Sequence, residues 1–212
     1  MNMESFIKQI SLLAMFLLSS LLAPNSWALT ACGSGSYANS EAFSNSGVSF
    51  SVEWSVCAVD TLEMKMTGDG TGWIGVGFSE SSSMPNTDIV IGGVNSDGST
   101  YLVDTWASGR SSPSVDVSQD YTLVSANESA SSTTIEFTRS LNTGDSDDYA
   151  LDGVARYLLW AIGGSDDITY HGGFRGISAT AIDFSASPVP LPAGLPLLLT
   201  ALGLLGVVRR KA

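Results

Sequence analysis

Apolar and polar residues alternate along several short segments in the middle of the chain. In VSFSVEWSVC, residues 48–57, every second residue is apolar, and the residues between them are Ser or Glu. A period of two is typical of a β-strand with one buried face. Similar runs predict further strands in TLEMKMT, GWIGVGFS, TDIVIGGV, TYLVDTWA, YTLVSAN, STTIEFTR and RYLLWAIGG.

Clusters of Gly, Ser, Asn and Asp separate these runs, as expected for turns. No segment shows a long period of 3.6 residues, which would indicate an amphipathic helix. Many short strands at close spacing predict an all-β protein, an antiparallel sandwich or barrel. Residues 29–187 are long enough for a single domain with one core.

The first 28 residues have the composition of a secretory signal peptide. Lys8 precedes the apolar run ISLLAMFLLSSLLA, and SWA provides a small-x-small cleavage site that ends at Ala28. We therefore predict that the chain is exported and that residues 29–187 form its mature domain.

A second apolar segment closes the chain, at residues 188–212. It reads VPLPAGLPLLLTALGLLGVV from Val189 to Val208 and is followed by the basic cluster RRK. This length is near the minimum for a transmembrane helix, and the basic tail would stay cytoplasmic. The segment resembles the VPLPA-type C-terminal sorting signals, relatives of the PEP-CTERM signals. That resemblance implies processing by an exosortase-type enzyme of a Gram-negative bacterium, with the domain on the periplasmic side or at the cell surface. The alternative is a plain membrane anchor.

The mature domain is strongly acidic. Residues 29–187 hold 20 of the 21 acidic residues but only five of the nine Lys and Arg residues, a net charge of about −15. Such a surface repels phosphate backbones, which argues against nucleic-acid binding.

The chain has two cysteines, Cys32 and Cys57, both in the exported region. An even count in an oxidising compartment predicts that they form a disulfide, rather than remaining two buried thiols.

The sequence offers little catalytic chemistry. His171 is the only histidine, no G-x-S-x-G motif is present, and the ligands of a zinc site are missing once the cysteines are paired. The acidic loop NTGDSDDYALD, residues 142–152, lacks the EF-hand pattern, and we expect a solvated turn rather than a calcium site. The protein is therefore predicted not to be an enzyme.

Met84 lies in the polar loop SESSSMPNTD, where a long apolar side chain is unexpected. Its thioether would either cover the end of the core as a packing residue or bind a soft ligand.

Six segments stand in an order that resembles the DOMON domain, which is named after part of dopamine beta-monooxygenase. They are WSV (54–56), GWIGVGFS (72–79), MPNTDIVIGGV (84–94), TRSLNTGDSDD (138–148), YLLWAIG (157–163) and YHGGFRG (170–176). The resemblance runs from about Phe43 to about Ile182. It implies an immunoglobulin-like β-sandwich that binds haem or sugar.

In haem-binding members of this family, a methionine before the DIV strand and a histidine near the last strands bind a b-type haem. The matching positions here are Met84 and His171, which the resemblance therefore implies are axial ligands, from loops expected to meet at one end of the sandwich. Arg175 would pair with a propionate, or simply hold a turn. Trp73, Phe78, Trp160 and Tyr170 would wall the macrocycle, or pack in the core.

Two functions remain open at this stage. An exported b-type cytochrome would transfer electrons to or from a separate redox protein. A non-redox module would bind sugars or another small ligand, at the cell surface or in exopolysaccharide. The presence of both Met84 and His171 favours the cytochrome, since a sugar site needs neither.

The sorting hypothesis predicts the effect of deleting Val189–Ala212. Without the apolar segment, the domain should be released as a soluble exported protein, which fractionation of the cells would detect. A truncated protein that stays with the membrane or the cell surface would show that this segment is not the anchor.

Overall fold

The computed structural model describes residues 32–57 and 60–185. The predicted signal peptide and sorting segment lie outside these ranges. Within them the chain forms eleven β-strands and no helix, so the search for a helix able to cross a membrane finds none there. The strands are β1 (Asn39–Asn45), β2 (Val48–Cys57), β3 (Thr61–Asp69), β4 (Ile74–Ser79), β5 (Thr87–Val94), β6 (Thr100–Ala107), β7 (Ser114–Val115), β8 (Thr122–Glu128), β9 (Ser132–Ser140), β10 (Tyr157–Ile162) and β11 (Arg175–Ile177).

The strands form two antiparallel sheets. One has the order β1-β2-β3-β9-β8 and the other the order β11-β10-β4-β5-β6-β7. All strand pairs within them are antiparallel. The predicted all-β class is confirmed, and the arrangement is consistent with a β-sandwich.

The core lies between the two sheets. The alternating face of β2 supplies Phe50, Val52 and Trp54, and β3 supplies Met64 and Met66, all of them buried. The inner face of the second sheet contributes Phe78 from β4 and Trp160 from β10. The ring of Phe50 stacks on that of Trp160 with centroids 5.2 Å apart, and the core therefore includes two aromatic residues that the family resemblance would place around a ligand.

The predicted disulfide between Cys32 and Cys57 is confirmed. It ties the chain ahead of β1 to the end of β2. A bridge of this kind typically stabilises a fold by ~2–4 kcal/mol, chiefly by restricting the unfolded chain.

A buried ion pair links the two sheets across the core. Arg139 Nη1, from β9, donates to Asp88 Oδ2, from β5, at 2.7 Å, and neither side chain is exposed. The Tyr121 hydroxyl donates to Asp88 Oδ1 at 2.8 Å. Arg139 also donates to the carbonyl oxygens of Ser140 and Tyr149, both at 3.0 Å. The guanidinium is thus surrounded by acceptors, as a buried charge requires.

Arg139→Leu should lower the free energy of unfolding at pH 8 by ~3–5 kcal/mol, because it leaves the carboxylate of Asp88 buried without its cation. Denaturant unfolding measures this. Glu80→Ala is the matched control, since it breaks the Arg156–Glu80 pair, in which Glu80 is 65% exposed; it should cost less than ~1 kcal/mol. Equal losses in the two variants would contradict a structural role for the buried pair.

Candidate functional site

The outer face of the second sheet, which points away from the first sheet, is apolar at its centre. Side chains alternate between the two faces of a strand, and paired residues share a face. Because Val76 and Phe78 point into the core, Gly75 and Gly77 face outward. The strand register then gives two outer rows across the sheet: Ile177, Leu159, Gly77, Ile89 and Thr105, and beside it Arg175, Ala161, Gly75, Ile91 and Val103.

At the centre of this face β4 carries no side chain, because its outward residues there are Gly75 and Gly77. A Cβ atom added to Gly77 would lie 2.7 Å from Thr87 Cγ2 and 3.0 Å from Ile89 Cγ1. One added to Gly75 would lie 2.9 Å from the carbonyl oxygen of Val90. Both glycines are buried, and a larger residue would clash at either position. We call this apolar region, centred on Gly75 and Gly77, the glycine floor.

Met84 lies beside one end of this floor, in the Met84 loop (residues 80–86) between β4 and β5. Two hydroxyl groups hold the loop, since Ser79 Oγ and Thr87 Oγ1 both donate to the carbonyl oxygen of Ser83 at 3.3 Å. The hydroxyl of Tyr149 donates to the carbonyl oxygen of Asn86 at 3.1 Å. Met84 is half-buried, which is compatible with either a packing residue or a ligand.

His171 belongs to the His171 loop (residues 163–174) between β10 and β11. Gly172 has a φ of 59°, in the left-handed region that glycine adopts without strain. Asn45 Nδ2, from β1, donates to the carbonyl oxygen of Arg175 at 2.6 Å, just beyond the loop. The rings of Trp73 and Tyr170 contact the imidazole, with centroids 6.4 and 5.0 Å from it.

The hydrogen bond of His171 determines which ring nitrogen is free. Nδ1 lies 3.1 Å from the carbonyl oxygen of Gly172. A carbonyl oxygen only accepts, so Nδ1 must carry the proton, and in the neutral ring Nε2 keeps its lone pair. Burial lowers the pKa of His171, against the effect of this hydrogen bond. The side chain is therefore prepared to bind a metal ion through Nε2.

The expectation that the two loops meet at one end of the sandwich is wrong. Ser79, which precedes the Met84 loop, pairs with Tyr157 at the start of β10. Ile162, which precedes the His171 loop, pairs with Ile74 at the start of β4. The loops therefore leave opposite ends of the β4–β10 pair, roughly 17 Å apart at ~3.3 Å per residue, with the glycine floor between them. A ligand shared by Met84 and His171 would lie over this floor.

Arg175 stands at the edge of the sheet, at the end of the row that contains Gly75. It is exposed, and its Nη1 donates to the Tyr170 hydroxyl at 3.3 Å and to the carbonyl oxygen of Gly172 at 3.4 Å. Tyr170 itself is 75% exposed. The expected cation is thus beside the histidine, at the rim of the floor.

Two of the four aromatic residues take the alternative role, packing in the core. Phe78 and Trp160 point into the core, as the alternation along β4 and β10 requires. Trp73 and Tyr170 do contact His171.

Much of the acidic loop is exposed, as expected for a solvated turn, but Asp148 points inward. The side chain of Asp148 is only 1% exposed and lies 3.6 Å from Arg139 Nη2. Buried polar residues surround it that the sequence pattern did not predict: Asp88, Asp104, Tyr121 and Arg139. Arg139 and Asp104 occupy positions of their strands where the alternation places apolar residues. A charged residue at such a position would have indicated a buried charge.

Comparison with known proteins identifies the family of the domain. Residues 47–163 match the family model of the DOMON domain. The chain belongs to the DOMON family. The match spans more than half of the chain, and it includes the strands that form the glycine floor and the Met84 loop.

The DOMON relatives are much longer proteins. DBH-like monooxygenase protein 1 from Homo sapiens is 37% identical over 109 residues, which is 50% of this chain and 18% of the human protein. Dopamine beta-hydroxylase from Rattus norvegicus is 30% identical over 86 residues, which is 41% of this chain and 14% of the rat protein. The chain thus covers less than a fifth of the length of either relative.

One solved structure shares the fold. The cytochrome domain of Myriococcum thermophilum cellobiose dehydrogenase matches with a TM-score of 0.51 and 17% identity, over 66% of this chain and 78% of that domain. The cytochrome b domain of pyranose dehydrogenase from Coprinopsis cinerea gives a TM-score of 0.49, also at 17% identity.

Proposed function

We propose that this DOMON domain binds one b-type haem and transfers electrons outside the cytoplasm. His171 carries the proposal, because its hydrogen bond to the carbonyl oxygen of Gly172 leaves Nε2 free to bind iron. The domain with the same fold from Myriococcum thermophilum is named a cytochrome domain, which agrees with this function.

The side chains around the floor are chemically suited to bind a haem. Imidazole and thioether are common axial ligands of haem iron, and a thioether raises the reduction potential. We assign the first role to His171 and the second to Met84. Apolar side chains around the glycine floor would contact the macrocycle, and Arg175 at the rim would pair with a propionate. Trp73 and Tyr170 would hold the imidazole ring in place.

Electron transfer fits this ligand set better than catalysis does. Bound haem would supply a one-electron couple, and two side-chain ligands would leave no coordination position for oxygen or a substrate. We therefore propose that the protein is not an enzyme and that its redox partner is a separate protein. Its place would be the periplasmic side of the membrane or the cell surface, held there by the C-terminal segment until processing.

Substitutions at Met84 distinguish a role as iron ligand from a role as packing residue. Leu fills nearly the same volume but has no sulfur. We expect Met84→Leu and Met84→Ala to convert a six-coordinate low-spin haem to a five-coordinate or solvent-ligated one, and to lower the reduction potential. His171→Ala should lose most of the haem. Absorption spectra and a potentiometric titration of the purified protein measure these effects, and circular dichroism should show an intact sandwich in each variant.

Two results would contradict the assignment. If Met84→Leu kept the spectrum and potential of the unchanged protein while Met84→Ala did not, Met84 would be a packing residue. If the unchanged protein stayed colourless with haem in excess, the cytochrome proposal would fail. Glycan binding by a non-redox module would then become the leading hypothesis.

A further inference from the structure

The Met84 loop is attached to the domain through its two ends. Residues 80–86 lie between β4 and β5 and belong to neither strand. The internal backbone hydrogen bond of the loop, from the N–H of Ser83 to the carbonyl oxygen of Ser81 at 2.8 Å, does not connect it to other parts of the chain. Contacts from outside the β4–β5 hairpin therefore decide how the loop sits on the domain.

Arg156 holds the first residue of the loop. Its Nη1 donates to Glu80 Oε1 at 2.7 Å. The backbone of Arg156 is itself well anchored, because its N–H donates to the carbonyl oxygen of Ile182 at 2.9 Å and its own carbonyl oxygen accepts from the N–H of Ile182 at 2.8 Å. Glu80 is largely exposed, so the pair adds little to the stability of the whole domain. Its effect is local, because it ties the loop to a fixed partner.

Tyr149 holds the last residue of the loop. Its hydroxyl donates to the carbonyl oxygen of Asn86 at 3.1 Å. Asn86 has a φ of 56°, in the left-handed region that few residues other than glycine adopt. The backbone N–H of Tyr149 donates to Asp88 Oδ2 at 3.2 Å, and the Tyr149 ring lies beside that of Trp106, with centroids 5.5 Å apart. The buried carboxylate of Asp88 thus anchors the residue that holds this end of the loop.

The two holding residues also contact each other. The guanidinium carbon of Arg156 lies 4.3 Å from the centroid of the Tyr149 ring, which is within the range of a cation–π interaction. Arg156 Nε also donates to the carbonyl oxygen of Ala150 at 3.4 Å. We call this pair the Arg156–Tyr149 clamp. It links the first and the last residue of the Met84 loop through one pair of stacked side chains.

We propose that the Arg156–Tyr149 clamp positions Met84 as an axial ligand. This inference rests on the proposed function, in which the Met84 sulfur binds haem iron. A thioether is a weak, neutral ligand, and its bond to iron is favoured when the loop that carries it needs no ordering on binding. Residues behind a ligand commonly hold it in this way. The clamp would thereby keep the iron six-coordinate and its reduction potential high.

Hydrogen exchange of the haem-free protein tests the clamp without any haem. Tyr149→Phe removes the hydrogen bond to Asn86 but keeps the ring that contacts Arg156, and Glu80→Ala removes the contact at the other end of the loop. In each variant we expect the amides of residues 80–86 to exchange about tenfold faster, because the loop opens more easily. Exchange in the core strands should stay unchanged.

Tyr101→Phe is the matched control. The Tyr101 hydroxyl makes the same kind of hydrogen bond, to the carbonyl oxygen of Asp166 in the His171 loop at 2.7 Å. The substitution is identical, but the contact that it removes belongs to the other loop. Exchange of residues 80–86 should therefore not change in this variant.

The haem-loaded protein shows whether the clamp acts on Met84. Tyr149→Phe should give a mixture of six-coordinate and five-coordinate or solvent-ligated spectra, together with a lower reduction potential. A tenfold loss in the preference of Met84 for ferrous iron corresponds to about 59 mV in a one-electron couple. In the Met84→Leu background, Tyr149→Phe should have no further effect on either property, because the ligand that the clamp positions is gone.

Three results would overturn the inference, and they differ from the result that would overturn the proposed function. Unchanged exchange in Tyr149→Phe would show that the clamp does not hold the loop. Faster exchange with an unchanged spectrum and potential would show that it holds the loop without positioning Met84. An equal shift of the potential in the Met84→Leu background would show that it acts on the haem by another route. If the unchanged protein binds no haem, the proposed function fails and the inference fails with it, whatever the exchange rates.

Discussion

Asp88 and Arg139 join the two sheets of the sandwich across its core. The hydrogen bond between them fixes β5 of one sheet opposite β9 of the other. Burying two charges is costly, and a one-residue slip of either strand would leave both without a partner. The pair therefore specifies register more than it adds stability. Tyr121 reinforces it by donating to Asp88 from the start of β8.

The proposed haem site depends on the same register. With Asp88 held inward, Ile89 and Ile91 must face outward, next to Gly77 and Gly75 of β4. Strand β5 begins directly after the Met84 loop. The ion pair therefore also fixes the position of the end of that loop. The buried charge of Asp88 and the apolar residues of the floor thus lie on opposite faces of β5.

Alternation predicted the larger part of the fold. The bounds of β2, β5 and β6 agree with the apolar runs, because each of these strands has a regular side-chain pattern. The strands β1, β7 and β11 were missed, since they are short or polar and form only by pairing with an edge. Cys32 and Cys57 were paired correctly from their number and compartment alone.

The arrangement of the site was harder to predict. Spacing along the chain does not say at which end of a sheet a loop emerges; that depends on the pairing of β4 with β10, which no local pattern encodes. Asp148 was assigned to solvent because its neighbours in the loop are polar, yet Arg139 from a distant strand draws it inward. Long-range electrostatics of this kind cannot be inferred from a loop's composition.

The central claim is that His171 and Met84 would together bind one haem beside the glycine floor. Near-infrared magnetic circular dichroism of the oxidised, haem-loaded protein tests it most directly, because the energy of the charge-transfer band between the porphyrin and the ferric iron depends on which two side chains are the axial ligands. We expect the methionine–histidine band in the unchanged protein. A bis-nitrogen or five-coordinate spectrum would contradict the assignment of Met84, and the absence of any haem spectrum would contradict the site as a whole.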